Sequence, residues 1–195
     1  MAVVTALRAR GGRVAVELDG GNWRTLPLEA VVRAGLAVGC ELDRPRARVL
    51  ARERRRLHAL DVATRALRSR DRSGSELRRR LAERGVRVPA ATETVETLER
   101  VGLVDDARFA AGRARALAER GYGDAAVRHD LESRGVSHEA VVEALATLAP
   151  EAERAVEHAP RLGGGVRAAR ALARRGFGED ALEGLIAGID SGELG

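Results

Sequence analysis

A hexapeptide of the form Leu-x-x-Arg-Gly-hydrophobic recurs along this chain and limits what the chain can fold into. Leu81-Ala-Glu-Arg84-Gly85-Val86 is followed 50 residues later by Leu131-Glu-Ser-Arg134-Gly135-Val136, and after another 41 by Leu172-Ala-Arg-Arg175-Gly176-Phe177. The pattern describes a helix stop. Leu packs the last turn, and Arg suits the negative end of the helix dipole. Gly takes the left-handed conformation, and the next hydrophobe folds back onto the helix. Each copy lies between helical runs. Pro89 and Thr92 introduce Val95 and Leu98; Ser137 caps a helix expected to bury Val141, Val142 and Leu145; Gly178-Glu-Asp-Ala leads to Leu182, Leu185, Ile186 and Ile189. Tandem helical units of this kind bury their faces against one another. The expected fold is mainly all-α, with three tandem three-helix repeats in an elongated, curved array.

The first 43 residues read as β structure followed by a short helix. Val3-Val4-Thr5-Ala6-Leu7 is β-branched, Arg10-Gly11-Gly12-Arg13 supplies a turn, and Val14, Val16 and Leu18 alternate with Ala15 and Glu17. After the turn Asp19-Gly20-Gly21-Asn22, Trp23 to Leu26 returns as a third strand, with Trp23 expected in the core of this hairpin or meander. Pro27 opens a short helix from Leu28 that ends at Gly35. So small a sheet needs a partner surface. Asp43-Arg44-Pro45 marks the expected boundary. The domain reading is a β-rich region at 1–43, a basic repeat 1 at 44–101, repeat 2 at 102–149, and repeat 3 at 150–195 with an acidic tail, Glu179 to Glu193.

Composition supports helix-on-helix packing, since only 2% of residues are aromatic and Ala and Leu dominate the apolar set. Charge is uneven. Residues 1–43 balance at 5 Arg against 5 acids, Arg44 to Val88 holds 16 Arg against 5 acids, and Pro89 to Gly195 holds 13 Arg against 19 acids. A segment of net +11 attracts polyanions, either DNA or the acidic face of a protein. Within it Arg48, Arg52, Arg55 and Arg56 fall at i, i+4, i+7 and i+8 and line one helix face. Arg78, Arg79 and Arg80 are further contact candidates, although consecutive positions point about 100° apart, so at least one of them faces inward. All 34 basic residues are Arg, a bias that a GC-rich genome also produces.

The remaining motifs read as architecture. Asp105-Asp106 fits a helix N-cap, with Val104 before it and Phe109 and Ala110 after it forming a hydrophobic staple. Gly85, Gly135 and Gly176 are structural caps. His58, His129, His138 and His158 lack metal-ligand spacing with one another or with Cys40 and read as surface or interface residues. Gly163-Gly164-Gly165 lacks the Lys-Ser/Thr of a phosphate loop and is expected to be a loop. No catalytic residue, cofactor or metal is expected. Few aromatics argue against base stacking as the main way of reading single strands. Cys40, the single cysteine, reads as a small buried hydrophobe in a reducing compartment. Met1 to Arg8 lacks the basic region of a signal peptide, and no run is long enough to span a bilayer. A cytoplasmic monomer is the expectation.

Several segments together resemble one family, the RecX recombination regulators. They are Arg72-Ser73-Gly74-Ser75-Glu76-Leu77 with Leu81; Leu98-Glu-Arg-Val-Gly102-Leu103-Val-Asp105-Asp106-Ala-Arg-Phe109-Ala110; Gly121-Tyr122-Gly123 ahead of Asp130-Leu131-Glu-Ser-Arg134-Gly135-Val136; and Arg174-Arg175-Gly176-Phe177. They cover most of residues 60–185. Leu103 stands where the family often has Tyr. The resemblance implies a non-enzymatic modulator of the RecA recombinase. Such a protein lies in the groove of the RecA–single-stranded DNA filament, limits filament growth, and dampens strand exchange and ATP hydrolysis. The partners implied are the RecA filament and the single-stranded DNA within it, with weak non-specific DNA binding besides. The alternative reading is an autonomous basic helical-repeat module that binds duplex DNA, or a protein adaptor.

Overall fold

The computed structural model describes residues 2–190, with side chains to 186. By compactness the chain forms two units. The first comprises residues up to Arg70 together with Arg78–Thr97, and the second comprises Asp71–Leu77 together with residues from Leu98 onward.

In the first unit, β-branched and alternating residues build an antiparallel sheet of β1 (Ala2–Arg10), β2 (Arg13–Leu18), β3 (Gly21–Pro27) and the two-residue β4 (Glu41–Leu42), in the order β3-β2-β1-β4. Pairing β1 with β2 sets Leu7 opposite Val16 and Ala9 opposite Val14. Pairing β2 with β3 sets Val14 opposite Leu26 and Val16 opposite Arg24, and the next pair is Glu17 with Asn22. Trp23 is therefore an extra residue in an edge-strand bulge. This corrects the expectation that Trp23 belongs to the core: it is 36% exposed. β4 was not legible as a strand; it is held by Ala2 opposite Leu42 and Val3 opposite Glu41.

The surface that the sheet needs is supplied by helices. α1 (Leu28–Arg33) follows the sheet, and α2 (Arg44–Ser69) begins at Asp43, whose carboxylate accepts a hydrogen bond from the Arg46 N–H at 2.8 Å. Val4, Val14, Val16, Leu26, Ala30, Val31, Ala34, Leu36 and Leu50 form the core, with Leu57 and Cys40 packed against it. The Cys40 sulfur, half-buried, accepts from the Ala37 N–H at 3.3 Å. The sheet thus shares its core with the first half of α2, across the Asp43 boundary. At 100° per residue, Leu50 and Leu57 lie about 160° from the buried Ala59, Ala63 and Ala66. The helix therefore buries nearly opposite faces in its two halves. α3 (Gly74–Glu83) and α4 (Val88–Arg100) follow.

The second unit contains two three-helix groups. α5 (Asp106–Glu119), α6 (Asp124–Ser133) and α7 (His138–Ala146) enclose Phe109, Ala110, Ala114, Leu117, Val127, Leu131, Val136, Val141 and Ala144. α8 (Glu151–His158), α9 (Gly165–Ala173) and α10 (Glu179–Asp190) enclose Ala155, Ala159, Ala168, Leu172, Phe177, Leu182 and Leu185. Val142, expected in the core, is exposed, because α7 spends its inward positions on Val141 and Ala144. Gly163 and Gly164 connect a short 3-10 turn (Pro160–Leu162) to α9, which starts at Gly165. The Ile189 side chain and the acidic tail beyond Asp190 lie outside the described residues. No described helix is long and apolar enough to cross a membrane.

The hexapeptide ends the second helix of each group. The Val86 N–H donates to the Leu81 carbonyl at 3.0 Å and the Gly85 N–H to the Ala82 carbonyl at 2.9 Å, and the same pair of bonds recurs at Leu131–Val136 and Leu172–Phe177. A fourth copy, Leu117-Ala-Glu-Arg120-Gly121-Tyr122, ends α5 with the same bonds. The hexapeptide therefore marks helix stops in general, and its 50- and 41-residue spacings record the positions of α3, α6 and α9.

Candidate partner and nucleic-acid interface

The first unit carries 20 Arg against 10 acidic residues, so the positive charge read from the sequence is concentrated there. On α2, Arg48, Arg52 and Arg55 are exposed. Arg48 and Arg55 have no carboxylate partner among the described residues, and Arg52 only approaches Glu53 at 3.9 Å. These three guanidinium groups present fork-shaped donors to solvent and suit a phosphate or carboxylate surface.

Arg56 belongs to a different environment. Its Nε donates to Glu53 at 2.9 Å and its other end pairs with Glu29, so it ties α2 to α1. Glu53 is only 3% exposed and also has Arg33 at 3.7 Å. The hydrogen bond that Arg56 donates to Glu53, opposed by burial and helped by Glu29, raises the Arg56 guanidinium above its ordinary value. Arg56 is thus part of the fold's wiring. Arg54, absent from the expected stripe, is exposed and without an ionic partner among the described residues. On α3, Arg79 is exposed, Arg78 is half-buried, and Arg80 pairs with Glu83 at 2.9 Å.

Of the residues that read as caps, Gly85 lies in the first unit and Asp105, Asp106, Gly135 and Gly176 lie in the second. Asp105 caps α5, accepting from the Arg108 N–H at 2.9 Å, while Val104 and Phe109 are both buried. Asp106 accepts from the Gly74 N–H at 2.7 Å. Ser73, fully buried, accepts from the Glu76 N–H and donates to the Arg134 carbonyl at 2.6 Å. Arg134 also reaches Glu76 at 2.6 Å and Asp130 at 2.8 Å, and Asp130 takes both donors of Arg113 at 2.9 Å. The start of α3 is thus seated on the Arg134-Gly135 stop of α6.

The same device recurs one group later. The Gly123 N–H donates to the Arg175 carbonyl at 2.9 Å and the Ala125 N–H to the Gly176 carbonyl at 3.1 Å, so the start of α6 sits on the stop of α9. Arg154, 6% exposed, closes this junction through the carbonyls of Tyr122 at 3.1 Å and Ala149 at 2.9 Å and through the Asp124 carboxylate. Glu151 accepts from the Asp124 and Gly178 N–H groups, and the buried His158 sits 3.1 Å from the Ala118 carbonyl.

Comparison with known proteins matches this architecture. The family described as RecX, second three-helix domain, matches residues 105–145, which span α5, α6 and most of α7. The regulatory protein RecX of Stenotrophomonas maltophilia (strain R551-3) is 36% identical over 123 residues, covering 58% of this chain and 76% of that protein. The chain belongs to the RecX family. The regulatory protein RecX of Xanthomonas campestris pv. campestris (strain B100) is 38% identical over 112 residues, 57% of this chain. The match spans about 60% of the length of that curated relative, and 49% for Xanthomonas oryzae pv. oryzae (strain MAFF 311018). A crystal structure of regulatory protein RecX superposes with a TM-score of 0.79 at 22% identity, covering 95% of this chain and 98% of that one. RecX from Lactobacillus salivarius superposes at 0.62 and 19%, covering 70% and 97%. Both likenesses show the fold.

In this RecX-family chain the residues that carried the family resemblance, Ser73, Glu76, Asp106, Asp130, Arg134 and Gly176, are joints between helices. Sequence reading did not identify Arg113 and Arg154 as members of these joints, whose partners lie 17 and 30 residues away. The Arg113 hydrogen bonds, against burial and with help from Arg134, hold the Asp130 carboxyl well below its ordinary 3.8. A depressed carboxyl adds stability above its unfolded value and loses it as pH falls below that value. Urea unfolding midpoints should therefore drop as pH falls below 3.8. Asp130→Asn should be less stable near neutrality by about 2–3 kcal/mol, with its curve converging on that of the parent in acid. Parallel curves for the two proteins would show that Asp130 does not supply this pH dependence.

Proposed function

We propose that this RecX-family chain is a non-catalytic regulator that binds the RecA recombinase filament on single-stranded DNA and limits its growth, ATP hydrolysis and strand exchange. Family membership is the observation that carries the reading. The local charge supports it: a unit of net +10 presents Arg48, Arg52 and Arg55 to solvent without neutralising carboxylates of their own at close range. A filament of nucleic acid and protein offers phosphates and carboxylates that accept such donors. The test is ATP hydrolysis by the RecA of the same organism, stimulated by single-stranded DNA and titrated with this protein. Inhibition at substoichiometric ratios is expected, as for action on growing filaments. Unchanged hydrolysis at stoichiometric excess, with the protein folded by circular dichroism, rejects the reading.

The exposed arginines also favour a second reading, an autonomous DNA-binding module. Tight duplex binding without a recombinase would support it, whereas a Kd weaker than about 10 μM at physiological salt is ordinary non-specific attraction.

A further inference from the structure

The second basic surface of the first unit lies away from the Arg48–Arg55 stripe. At 100° per residue, Arg54, His58, Asp61 and Arg65 form a stripe of their own, about 120° around α2 from the first. This stripe forms one wall of a cleft of about 690 Å³. The sheet forms the other wall, through Arg13 on β2 and Arg24, Thr25, Leu26 and Pro27 on the edge strand β3. Arg24 stands opposite the buried Val16, so its side chain leaves the sheet on the face that covers the core, where it lines the cleft.

The charges here are unevenly matched. Asp61 is the one acid in the cleft lining and is bound to Arg65 at 2.9 Å. Arg13 gives one donor to the Thr25 carbonyl at 3.2 Å. Arg54 has no ionic partner among the described residues, and Arg24 lies over the Trp23 ring, 5.5 Å from its centroid. Trp23 is the only tryptophan of the chain, and the bulge holds it exposed. Burying Trp23 would have served the fold better, since an indole is among the largest apolar contributions a small core can gain. A basic groove with an aromatic ring beside it is the arrangement that holds single-stranded nucleic acid, arginines tracking phosphates while a base stacks on the ring. An acidic peptide would use the arginines but has no need of the indole. A duplex is too wide for a cleft of small-ligand volume.

We propose that the cleft between β3 and α2, walled by Arg13, Arg24, Arg54, His58 and Arg65, with the Trp23 ring stacked against Arg24, is a binding site for single-stranded nucleic acid. The proposal rests on the reading that this chain works on a nucleic-acid filament. It adds a contact site within the first unit, between the sheet and α2.

Trp23 makes the site self-reporting. Oligodeoxythymidylate titrated into the full chain, with no recombinase present, should quench tryptophan fluorescence saturably. If three phosphates are engaged, the logarithm of affinity should fall with the logarithm of salt at a slope of about 2. Replacing both Arg24 and Arg54 with Ala should weaken binding at least about tenfold and reduce the slope to about 0.7. Neither side chain holds an ion pair among the described residues, so the circular dichroism spectrum and thermal midpoint should match the parent. Unchanged affinity and slope in the double variant overturn the proposal. Equal quenching by polyglutamate of the same length reassigns the cleft to acidic peptides and also overturns it. Equal quenching by an abasic strand removes the stacking role of Trp23. Because no recombinase is present, quenching that persists while RecA hydrolysis is unaffected rejects the filament reading and leaves the cleft in place. Regulation that survives in the double variant without quenching does the reverse.

Discussion

Gly176→Ala should lower the stability of the second unit by about 3–4 kcal/mol, whereas Gly85→Ala should cost about 1–2 kcal/mol. Both glycines occupy the fifth position of the same hexapeptide and have nearly the same backbone, with φ of +83° and +74°. An added methyl pays the same left-handed penalty at each. Their neighbours differ. Beside Gly85 nothing lies within 4 Å of the position a Cβ would take, whereas at Gly176 that position is 2.6 Å from the Ala126 backbone nitrogen and 2.8 Å from its Cβ. Backbone cannot swing aside as a side chain would, so the start of α6 must lift from its seat and release the bonds that Gly123 and Ala125 make to Arg175 and Gly176. Urea unfolding of the two variants measures the difference. Equal losses would mean that the junction yields without cost and that only the backbone conformation matters.

That comparison shows what the sequence could reveal. The helix stops were legible because a stop is local: Leu, Gly and the following hydrophobe all lie within six residues, and so do the bonds they make. Asp105 was legible as a cap for the same reason. What each stop touches was not legible, because Ser73 meets Arg134 across 61 residues and Glu76 meets it across 58. The fourth stop at Leu117–Tyr122 was in plain view but fell outside the 50- and 41-residue spacings, which drew attention to second helices only. Trp23 misled because a large apolar residue is normally core, and the bulge that turns it out is set by pairing with β2. The arginine stripe on α2 followed from helical periodicity, but periodicity counts charges without their partners. Glu29, 27 residues before Arg56, removes that arginine from the exposed set. Arg54 was passed over because it lies off the stripe, and its companions Arg13 and Arg24 come from strands.

Reversing Arg48, Arg52 and Arg55 to Glu should weaken the proposed inhibition of RecA hydrolysis about tenfold to hundredfold while leaving the fold intact. Each side chain is exposed and none anchors the core, so helicity should be preserved. Each reversal exchanges an attraction to the anionic filament for a repulsion of about 0.5–1 kcal/mol, and the three act on one surface. If they face phosphates of a single strand, the salt slope of inhibition should shrink by about 2 as well. Arg56→Glu supplies the contrast. It places a second carboxylate against Glu53, which is 3% exposed, and beside Glu29, so its expected loss is of stability, about 3 kcal/mol, with lost inhibition following from unfolding. Inhibition that survives the triple reversal removes this face of α2 from the interface. A triple variant that is also destabilised would instead show that Arg52, close to Glu53 at 3.9 Å, shares the structural role of Arg56.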